Sequence, residues 1–222
     1  MSPEEKSARE EICRVGKSLF DRGYVHATAG NISVRLDDGF LITPTDACLG
    51  FLDPARLSRT DGQGRQISGD KASKTLALHR RIYEATSDLS PQTRCIIHTH
   101  STHAVTLSLT CTSAELLSPI TPYFVMKVGH VPLISYRRPG DPEAAELVAT
   151  AIADYARKGV ALRAVMLSRL GPNVWHEAPG AAMAVLEELE ETARLSLVAT
   201  GPVEPLDETR IDELRQTFGA HW

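Results

Sequence analysis

His98-Thr99-His100-Ser101-Thr102-His103 holds the residues best suited to chemistry in this 222-residue chain. Cys95-Ile96-Ile97 reads as a buried strand leading into it. Side chains alternate faces along a strand, so His98 and His100 are expected to point the same way. Two imidazoles at that spacing can reach one divalent metal ion. The plain alternative is a pair of polar residues facing water at a strand end. A second group of candidates is His26-Ala27-Thr28-Ala29-Gly30-Asn31-Ile32-Ser33. A loop of small residues lets backbone N–H groups approach an anion, and Asn31 adds a side-chain donor. Thr43-Pro44-Thr45 and Ser73-Lys74-Thr75 offer hydroxyls, and Lys74 a positive charge, for a phosphate. Each of these loops also has a bland reading as a turn or a helix cap.

These candidates must be held by elements that the local sequence predicts. Ser2-Pro3-Glu4-Glu5 reads as a capped helix start, with Gly23 as the stop. Residues 31–36 and 40–43 flank Asp37-Asp38-Gly39 as a hairpin. The polar, Gly-rich run 60–70 reads as a loop. A helix over 73–85 places Leu76, His79, Ile82 and Tyr83 on one side. Ser101 or Thr102 caps the next helix. Residues 131–135 form a short strand, and Asp141-Pro142 opens a helix to about Arg157. Residues 164–167 are strand-like, Gly171-Pro172 turns the chain into 173–176, and helices follow over about 181–197 and 207–218. Strands joined by hairpins and interleaved with helices predict an α/β fold of α+β type: a central, mainly antiparallel sheet flanked by helices. With no repeat and no linker, residues 1–222 read as one domain.

Composition narrows the partners. Hydrophobic residues make up 42%, charged residues 23%, and the net charge is −4. No basic stripe stands out, so nucleic acid is not an expected partner. The N-terminus lacks a secretory pattern, and no apolar run approaches the roughly 20 residues needed to cross a bilayer. Cys13, Cys48, Cys95 and Cys111 are widely and irregularly spaced, as in reduced proteins. A cytoplasmic protein without membrane contact is expected.

The ordered set Thr28-Ala29-Gly30-Asn31-Ile32-Ser33, Thr43-Pro44-Thr45, Gly69-Asp70-Lys71-Ala72-Ser73-Lys74, His98-Thr99-His100-Ser101-Thr102-His103 and Glu187-Glu188-Leu189-Glu190-Glu191-Thr192-Ala193 resembles the class II aldolase/adducin family along nearly the whole chain. Pro119-Ile120-Thr121-Pro122-Tyr123 and Tyr136-Arg137-Arg138-Pro139-Gly140-Asp141 resemble its branch that decarboxylates 3-oxo-tetronate 4-phosphates. The resemblance implies His98 and His100 as metal ligands, usually for zinc, with manganese or cobalt as alternatives. It implies Gly30, Asn31, Thr43, Thr45 and Ser73 as phosphate-binding residues of a small phosphorylated sugar-acid site, and Lys74, Thr75 and Tyr123 as catalytic candidates. It also implies a homotetramer with active sites between subunits.

Two departures shape the expected chemistry. Family members often place a third ligand histidine where this chain has Leu170, and a catalytic glutamate where it has Thr75. A threonine cannot act as a carboxylate base. Decarboxylation of a β-keto acid reaches an enediolate by losing CO2, without removing a C–H proton. Decarboxylation is therefore the expected reaction. A sugar-phosphate aldolase or epimerase, or a non-catalytic adducin-like binding protein, is the alternative.

Overall fold

A computed structural model describes residues 1–220 and 222. In chain order the elements are α1 (Pro3–Asp21), β1 (Asn31–Leu36), β2 (Gly39–Ile42), β3 (Ser58–Asp61), β4 (Gln66–Ser68), α2 (Leu76–Ala85), β5 (Cys95–His98) and α3 (Thr102–Thr110). They continue as α4 (Pro122–Lys127), β6 (Leu133–Ile134), α5 (Pro142–Ala156), β7 (Ala164–Leu167), β8 (Gly171–His176), α6 (Pro179–Val198) and α7 (Glu208–Phe218). Among the described residues the strands form one eight-stranded sheet in the order β4-β3-β2-β1-β5-β8-β7-β6. Every neighbouring pair is antiparallel except β6 with β7. The expected α+β fold, a mainly antiparallel sheet between helices, is what the chain adopts.

The sheet's two faces carry separate cores. Ile32, Val34, Cys95, Ile97 and Val174 pack with Ile12, Leu19, Leu186 and Leu189 from α1 and α6. Ile96, Val165 and Trp175 pack with Leu76, Ile82, Tyr83, Val148 and Ile152 from α2 and α5. Strand β5 lies at the centre and is buried on both faces, which accounts for its continuous apolar run.

Local signals produced most helix starts. Ser2 accepts a hydrogen bond from the Glu5 amide at 3.1 Å, and Asp141 accepts one from Glu143 at 3.1 Å. Helix α3 departs from the expected pattern. Ser101 holds the capping position but makes no capping bond through its side chain. Its hydroxyl lies 2.5 Å from that of Thr99. The Glu190 carboxylate, reaching across from α6, accepts instead from the His103 and Ala104 amides at 2.8 and 3.0 Å. The run 60–70 is also not a plain loop. Strands β3 and β4 add an edge hairpin to β2, although β4 is exposed at all three positions. Helix α4, capped by Thr121, was not anticipated either. No helix among the described residues is long and apolar enough to cross a membrane.

His79 is fully buried between α2 and the sheet, where its Nδ1 lies 2.8 Å from Ser33 Oγ. Burial, and then proximity to His98, pushes its pKa down from 6.5 to about 3. The unfolded chain therefore takes up a proton near pH 6.5 that the folded chain refuses until about pH 3. Stability falls as the pH drops through that window, by up to about 1.4 kcal/mol per pH unit. His79→Leu in the metal-free protein should reduce the slope of unfolding free energy against pH by about that amount, measured by urea denaturation between pH 7 and 5. An unchanged slope would contradict the assignment.

Candidate active site

Strands β1, β5 and β8 align Asn31, His98 and Asn173 directly across from one another on one face. His98 Nδ1 lies 2.9 Å from the Pro172 carbonyl. A carbonyl only accepts, so Nδ1 carries the proton and Nε2 keeps its lone pair free. Glycines allow the backbones around this histidine to approach closely. Gly30 has φ +84°, and a Cβ there would stand 2.9 Å from the His98 carbonyl oxygen. Gly171 has φ +142°, and a Cβ there would stand 1.9 Å from the Thr99 carbonyl oxygen.

The strand ends at His98, so His100 does not share its face by strand alternation as expected. The loop beyond the strand brings the rings together regardless, with centres 5.0 Å apart and planes at 67°. Two imidazoles on one tetrahedral ion, with metal–nitrogen distances of about 2.0 Å, have ring centres roughly 5 Å apart. Burial, followed by the neighbouring His100, pushes the His98 pKa down to about 4 against the opposing bond to Pro172. Burial, followed by His26, lowers that of His100. Both rings are thereby kept neutral, the form that binds metals. The pair fits a divalent ion but does not complete its coordination. Among the described residues no three His, Cys, Asp or Glu side chains stand ready to hold a metal.

A cavity of about 410 Å³ brings together Gly30, Asn31, Thr45, Ser73, Lys74, Thr75, His98 and His100. The bridge between Pro44 and Ala72 sets the Thr45 loop beside the Ser73 loop. Thr43 is not part of the lining. It is buried, its hydroxyl accepts from the Ile32 amide at 3.2 Å, and its carbonyl accepts from the Ser73 amide at 3.3 Å. It ties the two loops together from behind. The hydroxyls of Ser73 and Thr75 lie 2.8 Å apart at the start of α2. Asn31 Oδ1 is buried without a partner among the described residues, although the residue lines the cavity. An unpaired buried acceptor costs about 1–3 kcal/mol, which a ligand donor would relieve. Tyr123 is outside the lining, 60% exposed on α4.

Leu170, in the turn between β7 and β8, lines the same cavity. An apolar side chain thus occupies the place where the resemblance implied a third ligand. Of the other histidines considered, His103 binds Glu190, and His176 pairs with Cys95 at the far end of β8. Two residues that the sequence analysis quoted only within longer stretches, without a role, lie at or beside the cavity. Arg138 lines the cavity as a second cation beside Lys74, its Nε 3.6 Å from Asp141. His26 stands with its ring centre 6.4 Å from that of His100. Its position at the head of the small-residue loop was the available signal.

The fold is that of the class II aldolases, and residues 10–197 match the family described as the class II aldolase and adducin N-terminal domain. The chain belongs to the class II aldolase/adducin family. It is 50% identical to the 3-oxo-tetronate 4-phosphate decarboxylase of Cupriavidus necator over 100% of both chains. It is 41% identical to the enzyme of that name from Escherichia coli K12, over 95% of this chain and 96% of the relative. The crystal structure of YgbL from Escherichia coli superimposes with a TM-score of 0.83 at 40% identity, covering 95% of this chain and 99% of that one. An L-fuculose-1-phosphate aldolase from Thermus thermophilus gives a TM-score of 0.71 at 28% identity, covering 89% and 98%.

His98→Ala and His100→Ala should each remove most bound divalent metal while leaving the circular dichroism spectrum unchanged. Full metal occupancy in both variants would contradict the reading of this pair.

Proposed function

We propose that this chain catalyses the metal-dependent decarboxylation of a 3-oxo-tetronate 4-phosphate to dihydroxyacetone phosphate and CO2. The observation that carries this reading is 50% identity over the whole chain to a decarboxylase of that name. The cavity supports it, because it joins a pair of neutral imidazoles to a polar, cationic wall.

When held by His98 and His100, a divalent ion, zinc first among candidates, would supply Lewis acidity toward the oxygens of the keto acid. The chain's own groups do the rest. The Gly30 backbone, the Asn31 amide, the hydroxyls of Thr45, Ser73 and Thr75, and the Lys74 ammonium receive the phosphate. Thr43 acts indirectly, by holding the Thr45 and Ser73 loops in register. The C1–C2 bond breaks, its electron pair moves toward the C3 ketone, and C2 of the resulting enediolate takes up a proton. No C–H bond is broken, so Thr75 need not be a base.

Tyr123 is a candidate proton donor only if it arrives from a neighbouring copy, since it lies outside its own chain's cavity lining. Its 60% exposure is in keeping with a homotetramer whose active sites lie between subunits.

Metal-dependent CO2 release should require the phosphate, with little cleavage of fuculose- or rhamnulose-type phosphates. Asn31→Ala and Lys74→Ala should chiefly raise KM. Thr75→Val removes one neutral hydrogen-bonding group, worth about 1 kcal/mol, and should slow turnover about fivefold. Robust aldol cleavage without CO2 release from any keto acid would overturn the assignment, and equal turnover of unphosphorylated substrate would overturn the phosphate site.

A further inference from the structure

Leu170 leaves the His98–His100 pair one protein ligand short of the three that catalytic zinc sites ordinarily keep. We propose that His26 supplies the missing imidazole, so that the third ligand comes from the loop between α1 and β1 instead of the turn between β7 and β8. The inference rests on the metal reading above.

Ring distances are the first support. His98 and His100 are 5.0 Å apart between ring centres, and His100 and His26 are 6.4 Å apart. Ligands of one tetrahedral ion have ring centres roughly 5 Å apart, so His26 must close on His100 by a little over an ångström. Rotation of its side chain can supply this. The residue is exposed, and its ring makes no hydrogen bond with any described residue.

The backbone below it is held in place. Val25 is buried, the His26 carbonyl accepts from the Ala29 amide at 2.9 Å, and Ala27 sits in the left-handed region at φ +48°. Such a conformation costs an alanine of order 1 kcal/mol, and it fixes where His26 leaves the loop.

Among the described residues the other imidazoles are committed elsewhere, His176 included, whose Nδ1 accepts from the Glu177 amide at 2.9 Å. His79 is enclosed against Ser33, His103 is bound to Glu190, and His130 is bound to Glu115.

The test is cobalt(II) binding to the metal-free protein, read by chelator competition and by the visible ligand-field spectrum, neither of which depends on turnover. His26→Ala should weaken cobalt binding by at least about 100-fold and alter the spectrum. Adding Leu170→His to His26→Ala should recover most of that affinity by restoring a third histidine from the opposite wall. Unchanged affinity and spectrum in His26→Ala would overturn the proposal. So would retention in His26→Ala together with loss in Asp46→Asn, which would assign the ligand to the exposed carboxylate lining the cavity. An equal loss in the double variant, with a lowered melting temperature of the metal-free protein, would show that His26 acts through the fold and would also overturn it. If the unmodified chain takes up no cobalt, the metal reading fails and this proposal with it. That result is distinct from uptake that is indifferent to His26.

Discussion

Strand β5 is the constraint on which the site depends. Cys95, Ile96 and Ile97 are each 0% exposed, and they face alternate cores. Burying an isoleucine side chain contributes about 1.5–3 kcal/mol, so moving this strand by one residue would be costly. Such a slip would also turn every side chain to the opposite face and carry His98 away from Asn31 and Asn173. The register that buries the isoleucines therefore also aims the histidine. The same burial lowers its basicity and keeps its ring available to a cation.

The other groups reach the cavity through connections that this central strand organises. Gly30 and Gly171 let the neighbouring loops lie directly against the backbone of residues 98–99. Thr43 joins the first hairpin to the loop that opens α2. The polar wall is thus built from three loops braced by sheet pairing and backbone hydrogen bonds. Arg138 enters from the loop that precedes α5 and Lys74 from the loop that precedes α2, so two connections each bring a cation to the cavity.

Much of this was legible in the sequence because it rests on local rules. Ser2-Pro3 and Asp141-Pro142 announce their helices through capping chemistry. Leu76, His79, Ile82 and Tyr83 share one face of α2 as their spacing requires. The Gly30, Ser73 and His98 stretches, on which the resemblance rests, line one cavity. What escaped was set by tertiary structure. Strand β4 has no buried side chain, and its pairing extends a sheet started elsewhere. The cap of α3 comes from Glu190, 87 residues from His103. Motif spacing alone could not show that Thr45 lines the cavity while Thr43 braces it, or that His26 folds back beside His100.

A threonine at position 75 would be a severe loss for an enzyme that must abstract a carbon-bound proton. It is milder for one whose substrate expels CO2, because the bond that breaks itself delivers the electron pair. This difference is open to direct measurement with 3-oxo-tetronate 4-phosphate carrying carbon-13 at C1, followed by nuclear magnetic resonance. All of the label is expected to leave as CO2 and bicarbonate, with one equivalent of unlabelled dihydroxyacetone phosphate. Label retained in an organic product would contradict the proposed decarboxylation.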